Sequence, residues 1–169
     1  MTNASTYWLL GDPVAHSLSP VFQNAALRAM GLGQLYEVRR TPAAGLPAAI
    51  DALRRGDALG ANVTLPHKTA VLSLMDEVDP LARAVGAVNT VVRTGGRLIG
   101  HNTDVTGLER ALTDWFAGAP PPRSALVLGA GGAARGAVLS LDRVGVQRIV
   151  IHNRTAPRAE AIAREVATS

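Results

Sequence analysis

The chain has 169 residues, a formal net charge of +4, and 47% hydrophobic against 18% charged residues. That balance supports a packed core and excludes a disordered chain. It has no cysteine, which rules out a disulfide framework and thiolate catalysis. The basic residues are scattered, with Arg39–Arg40 and Arg54–Arg55 the only adjacent pairs, and 4% of residues are aromatic, so nucleic acid is not an expected partner.

The stretch from Met1 to Leu10 lacks a basic leader, and its apolar character ends at Asp12 and Pro13. Neither a secretory signal nor a membrane span is expected, and the expected location is the cytoplasm. Thr6 to Leu10 reads as a buried strand. Ser19 with Pro20 reads as a hydroxyl N-cap and a first-turn proline, opening a helix whose apolar face is Phe22, Ala25, Ala29 and Met30. Leu35 to Val38 and Ala61 to Leu65 read as strands, and Leu46 to Leu53 and Lys68 to Met75 as helices. Asp79–Pro80 opens another helix. Ala87 to Val92, Gly95–Gly96 and Arg97 to Ile99 have the form of a hairpin. Val105, Leu108, Leu112, Trp115 and Phe116 mark an amphipathic helix.

Residues 117–123, with three consecutive prolines, read as a boundary. Beyond it comes a β-α-β-α run: strand Ala125 to Leu128, a glycine turn, a helix to Val144 with Ala134, Ala137, Val138 and Leu141 on one face, strand Arg148 to Ile151 and a last helix. The expected architecture is α/β throughout: an N-terminal α/β domain over 1–116, a Pro-rich boundary over 117–123, and a truncated Rossmann (doubly wound, parallel-sheet) domain over 124–169.

The turn Gly129-Ala130-Gly131-Gly132-Ala133-Ala134, between a strand and a helix, fits the dinucleotide fingerprint with Ala134 in the third small position. Gly129 permits the tight turn, Gly131 lets a pyrophosphate approach the backbone, and the helix N-terminus offers free N–H groups to that anion. Glycine-rich turns also occur as plain connections. The end of the second strand carries no carboxylate to hold a ribose. It reads His152-Asn153-Arg154-Thr155, with Arg158 one turn on, and paired guanidinium groups suit a 2′-phosphate, so NADP is the expected cofactor.

Of the 17 basic residues, 16 are Arg and one, Lys68, is Lys. Arg cannot release its proton near neutral pH, whereas a Lys amine can be tuned to do so. Lys68 is therefore either a chance survivor or a residue kept for its titratable amine. Four clusters place small polar groups at or just past strand ends, where open α/β sheets bind ligands: Gly11 to Pro20, Gly60 to Lys68, Gly86 to Thr90 and Gly100 to Asp104. Each also has an ordinary reading as turn or cap residues.

In this order the clusters resemble the shikimate dehydrogenase family, and the resemblance covers the whole chain. It implies that Ser17 and Ser19 hold the substrate carboxylate. Asn62 and Thr64 of Asn-Val-Thr-Leu-Pro-His-Lys, with Asn89, hold ring hydroxyls. Lys68 and Asp104 are implied as catalytic. It also implies a cofactor site at Gly129, Ala130, Gly131, Gly132 and Ala133, with Asn153, Arg154, Thr155 and Arg158 toward the 2′-phosphate, and no metal. The implied reaction is the reversible NADPH-dependent reduction of 3-dehydroshikimate to shikimate, within aromatic amino acid biosynthesis. Oligomeric state is left open.

A full Rossmann sheet has more strands than the two readable here, so the chain is expected to be part of a longer protein. The isolated chain is expected to show no significant turnover, and apolar surface is expected after Ser124. Alternatives are a quinate/shikimate dehydrogenase using NAD and a non-catalytic shikimate-binding module. Methylene-tetrahydrofolate dehydrogenases share the two-domain cleft lysine but are disfavoured by the Ser17/Ser19 pair.

Overall fold

The structure is a computed structural model and describes residues 6–166. In chain order its elements are β1 (Thr6–Gly11), α1 (Ser19–Ala29), β2 (Leu35–Arg40), α2 (Leu46–Arg55), β3 (Gly60–Val63), β4 (Glu77–Val78) and α3 (Pro80–Val85). They are followed by β5 (Thr90–Thr94), β6 (Arg97–His101), α4 (Asp104–Phe116), β7 (Ser124–Leu128), α5 (Gly132–Arg143), β8 (Arg148–His152) and α6 (Ala156–Glu165). The chain divides into two compact units, Met1–Asp79 with Val88–His101, and Pro80–Ala87 with Asn102–Ser169.

The first unit is built on a six-stranded mixed sheet of order β2-β1-β3-β5-β6-β4. β1 runs parallel to β2 and β3, whereas β5 and β6 form the expected antiparallel hairpin. Trp8, Leu9 and Leu10 are all buried, as befits a central strand covered on both faces. α2 buries Leu46, Ala49, Ile50 and Leu53 on one helical face.

α1 departs from expectation. Its first helical residue is Ser19, and the N-cap is Leu18. The face Phe22, Ala25, Ala29 and Met30 is not buried: Phe22 and Met30 are 58% and 69% exposed. Asn24 is the cause. Its Nδ2 donates to Tyr36 O (2.9 Å) and its Oδ1 accepts from Tyr36 N (2.8 Å), so the side chain pairs with the free edge of β2 and fixes the helix rotation. Leu27, instead, packs on Leu9, Val14 and Tyr36.

The segment after Pro66 is also not the α-helix expected over Lys68 to Met75; only a 3-10 turn, Ala70–Leu74, forms. In an α-helix the Lys68 carbonyl would accept from Leu72 N. Here it accepts from Val88 N at 2.7 Å, so that bond is committed to tertiary structure.

Asp76 ties α2, β4 and β6 together. Leu98 N donates to Asp76 Oδ2 (2.7 Å), and Arg54 Nη2 donates to Asp76 Oδ1 (3.2 Å) and Leu74 O (3.0 Å). The Leu98 N–H, and after it the Arg54 guanidinium, hold this carboxyl below the usual carboxylate range. The folded pKa is depressed, so its stabilisation is present above the unfolded value of about 4 and is lost as pH falls through the folded value. Asp76→Asn is expected to lower the unfolding temperature at neutral pH and to flatten its fall on acidification; thermal unfolding across pH for both proteins checks this.

In the second unit, β7 and β8 pair in parallel, with Leu126 opposite Val150. One core holds Val85 of α3, Val105 of α4, Val127 of β7, Val138 of α5 and Ile162 of α6. α4 lies along α5, where the buried Ser140 Oγ sits 3.1 Å from Val105 O and 2.9 Å from Gly136 O. By its contacts this unit takes in α3 and α4 together with the β-α-β-α run that follows residues 117–123. The proline segment lies inside it: a Cβ on Gly145 would meet Pro121 Cγ at 3.4 Å. Of the apolar α4 pattern only Val105 is buried, and Trp115 is 79% exposed and stacked with Phe116. Leu126, Leu128 and Val150 are also exposed, the apolar surface expected after Ser124.

Candidate functional site

In the first unit the chain ends of β1 and β3 lie side by side. Thr64 N donates to Leu10 O and Asp12 N to Leu65 O, both at 2.9 Å. The approach requires Gly11: a Cβ there would sit 2.5 Å from Thr64 Cγ2 and 2.9 Å from Leu65 O. Just beyond β1, Ser17 Oγ donates to Ser19 Oγ (3.1 Å) and accepts from Ser19 N (3.2 Å). The expected pair of hydroxyls is thus a local motif, and both residues are only partly buried.

His67, unremarked in the sequence, is 1% exposed. Its Nε2 lies 2.6 Å from Thr41 O. A carbonyl only accepts, so this nitrogen carries the proton. The bond anchors the turn that presents Lys68 to the residue after β2. Lys68 itself is half-buried.

Asn62 and Asn89 belong to one hydrogen-bonded set. Tyr36 Oη donates to Asn62 Oδ1 (2.8 Å), Asn62 Nδ2 donates to Asn89 O (3.2 Å) and Thr90 Oγ1 (3.1 Å), and Thr90 Oγ1 donates to Asn89 Oδ1 (3.0 Å). Asn62 and Thr90 are register partners in the sheet. Burial pushes the Tyr36 phenol from its usual 10 up to about 12. A cavity of about 360 Å³ abuts this set and is lined by Tyr7, Leu27, Tyr36, Asn62 and Thr90 among others, but not by Ser17, Ser19, Thr64 or Lys68. The serines and Lys68 therefore mark a different place from that cavity.

In the second unit Asp104 is the first residue of α4. It is not needed as a cap. The buried Asn102 does that: its Oδ1 accepts from Asp104 N (3.0 Å) and Val105 N (3.4 Å), and its Nδ2 donates to Ala87 O (2.9 Å). The Asp104 carboxylate is thus not what starts the helix.

The glycine turn follows β7. Gly129 N donates to His152 O (2.8 Å), tying the turn to the end of β8, and Gly129 has φ +111°, which a side chain would strain. Nothing would touch a Cβ on Gly131, and α5 starts at Gly132, so Ala130 to Ala133 expose backbone N–H groups at a helix start. That geometry fits a pyrophosphate. After β8, Asn153 Nδ2 donates to Thr155 O (2.9 Å), shaping the loop that holds Arg154 outward; Arg154 and Arg158 are both exposed, free to meet a phosphate dianion. Among the described residues no group of His, Cys, Asp and Glu could hold a metal, and no helix is long and apolar enough to cross a membrane.

Residues 9–91 match the shikimate dehydrogenase substrate binding domain, and residues 120–169 match the shikimate / quinate 5-dehydrogenase family. The shikimate dehydrogenase (NADP(+)) of Geobacter metallireducens is 49% identical over 154 residues, 91% of this chain and 54% of that protein. The chain belongs to the shikimate dehydrogenase family. It spans about half the length of the curated relatives it matches. Among solved members of the family, shikimate 5-dehydrogenase from Thermus thermophilus, in complex with NADP(H) and shikimate, superposes with a TM-score of 0.84 at 44% identity, over 96% of this chain and 60% of that one. The Aquifex aeolicus shikimate dehydrogenase gives 0.89 at 36% identity, over 99% and 62%.

Beyond the family motifs, sequence reasoning passed over Tyr36, Thr90 and His67. Polar groups at Asn62 in a buried strand and at His67 beside Lys68 are the signal that could have pointed to them, since buried polar atoms require partners.

Proposed function

We propose that the native gene product carrying this chain catalyses the reversible NADPH-dependent reduction of 3-dehydroshikimate to shikimate. The observation that carries the reading is the combination, in a chain of this family, of the paired Ser17/Ser19 hydroxyls at the start of α1 with the one lysine of the sequence on the anchored turn after β3. The first unit supplies the substrate contacts. Ser19 donates to the carboxylate, Ser17 does so once its hydroxyl turns from Ser19 Oγ, and Asn62, Thr64 and Asn89 meet ring oxygens. Bound NADPH supplies the hydride. Hydride addition leaves negative charge on the former carbonyl oxygen, and Lys68 Nζ donates a proton to it, returning to the ammonium from solvent; in the reverse direction the amine takes the hydroxyl proton. Asp104, at the start of α4, is the second residue proposed as catalytic.

The cofactor preference rests on Arg154 and Arg158, with no carboxylate at the end of β8 to grip a ribose. A relative from Listeria monocytogenes, 33% identical, was solved with shikimate and NAD. The reading carries with it a small-molecule substrate and a cytoplasmic location. Steady-state oxidation of shikimate and of quinate by the gene product, with NADP and with NAD, tests it. Shikimate with NADP is expected to have the highest kcat/KM; no shikimate oxidation with either cofactor overturns the reading.

A further inference from the structure

We infer that His67 is the positioning residue of the proton step proposed above: its ring ties the turn after β3 to Thr41 and so sets the point from which Lys68 reaches. The inference rests on the reading of Lys68 as proton donor for its functional part and on the first unit's geometry for the rest.

A lysine amine rides on a flexible four-carbon stem, and a proton donor acts within hydrogen-bond reach of its target. The backbone that carries it must therefore be held by other groups. Residues 64–69 have no helical ladder to do this, since the 3-10 turn starts at Ala70. Within the turn, His67 N donates to Thr64 O (2.8 Å), and the His67 carbonyl accepts from Val71 N (2.9 Å). On one side the Lys68 carbonyl accepts from Val88 N (2.7 Å). On the other, the His67 ring reaches the corner after β2, with Nε2 2.6 Å from Thr41 O.

His67 and Thr41 are both buried. With no solvent at hand to replace the bond, a turn that swings leaves a carbonyl and a ring N–H unpaired in the interior. Thr41 is itself fixed: its N donates to Gly11 O (2.9 Å) and its Oγ1 to Arg39 O (2.8 Å). Gly11 ends β1 and leads into the Ser17/Ser19 loop. Arg40 adds a second tie there, its Nε donating to Asp12 Oδ1 (2.8 Å). The corner Arg40–Thr41 thus carries the serine loop on its amide side and the lysine turn on its carbonyl side. The proton-bearing nitrogen of His67 is committed to Thr41, so His67 acts on the reaction through Lys68.

The ligand-independent readout is the ring itself. Long-range 15N–1H spectra of the native gene product are expected to show the His67 proton on Nε2, protected from exchange. A proton on Nδ1 with Nε2 bare overturns the anchor. The kinetic readout separates position from stability. His67→Gln puts an amide N–H near the place of Nε2, whereas the shorter His67→Asn and the apolar His67→Phe do not. Thermal unfolding shows which variants fold, and rates are taken per folded molecule. In His67→Asn and His67→Phe, kcat for shikimate oxidation is expected to fall about tenfold to a hundredfold, the scale of a misplaced catalytic group, with KM for shikimate within about threefold. His67→Gln is expected to keep most of kcat. A purely structural His67 gives lower unfolding temperatures and wild-type kcat in whatever folds. A folded His67→Phe or His67→Asn with near-wild-type kcat overturns the inference, as does a folded His67→Gln that loses as much as His67→Asn or as much as about tenfold. A wild type that oxidises no shikimate overturns the reaction reading, and the role of His67 with it, even where the Nε2 proton is found. A wild type that turns over, with variants that match it, overturns the role of His67 alone.

Discussion

Lys68→Arg is expected to cut kcat for 3-dehydroshikimate reduction by about a hundredfold or more, the scale of positioned proton transfer. Shikimate binding is expected to survive. Arg keeps the positive charge and much of the length but holds its proton near neutral pH, so the substitution separates charge from proton donation. His67 anchors the preceding residue to Thr41 O and the Lys68 carbonyl accepts from Val88 N, so the backbone at this turn is held by bonds that the side-chain change does not touch. A companion variant guards against distortion. Lys68→Ala is expected to be partly rescued by small primary amines, with rescue that follows amine basicity. Initial rates of the native gene product and both variants check this. A loss below tenfold in Lys68→Arg contradicts a proton-transfer role for Lys68.

Replacing Arg154 and Arg158 together with Ala is expected to lower kcat/KM for NADPH by roughly tenfold to a hundredfold, the size of one or two charge-assisted hydrogen bonds to phosphate. NADH, which lacks that phosphate, is expected to change far less. Both side chains are exposed in the loop and first turn after β8, and no core packing depends on them. The Asn153 bond to Thr155 O keeps the loop shaped when they are gone. Arg154→Asp is expected to go further and move preference toward NADH, since a carboxylate there would hold ribose hydroxyls and repel a phosphate. Rates with the two cofactors give the ratio; a ratio unchanged by the double substitution removes these residues from the phosphate site.

What the sequence made legible is what local pattern encodes. The β7-turn-α5-β8 run reads directly because a strand, a glycine turn and a helix follow one another with no long-range contact needed to recognise them. The polar clusters read as strand-end residues for the same reason, and Ser17 and Ser19 pair within three residues of chain. What escaped depends on partners far along the chain. Phe22 and Met30 form a fair apolar stripe, yet Asn24 turns α1 by bonding the edge of β2, twelve residues away. Lys68 to Met75 has helical character, yet the Lys68 carbonyl is taken by Val88 N. Helix α4 precedes the prolines in sequence, yet Ser140 and Val105 draw it into the second core.

The measurement that bears most directly on the whole account is a shikimate titration of the 15N-labelled protein, followed at assigned backbone amides. Shikimate is expected to perturb Ser17, Ser19, Thr64, Lys68 and Asn89 in a saturable way, with quinate weaker. Perturbation confined to the Tyr7, Leu27 and Tyr36 cavity, or none at saturating ligand, would contradict the placement of the substrate on which the mechanism depends.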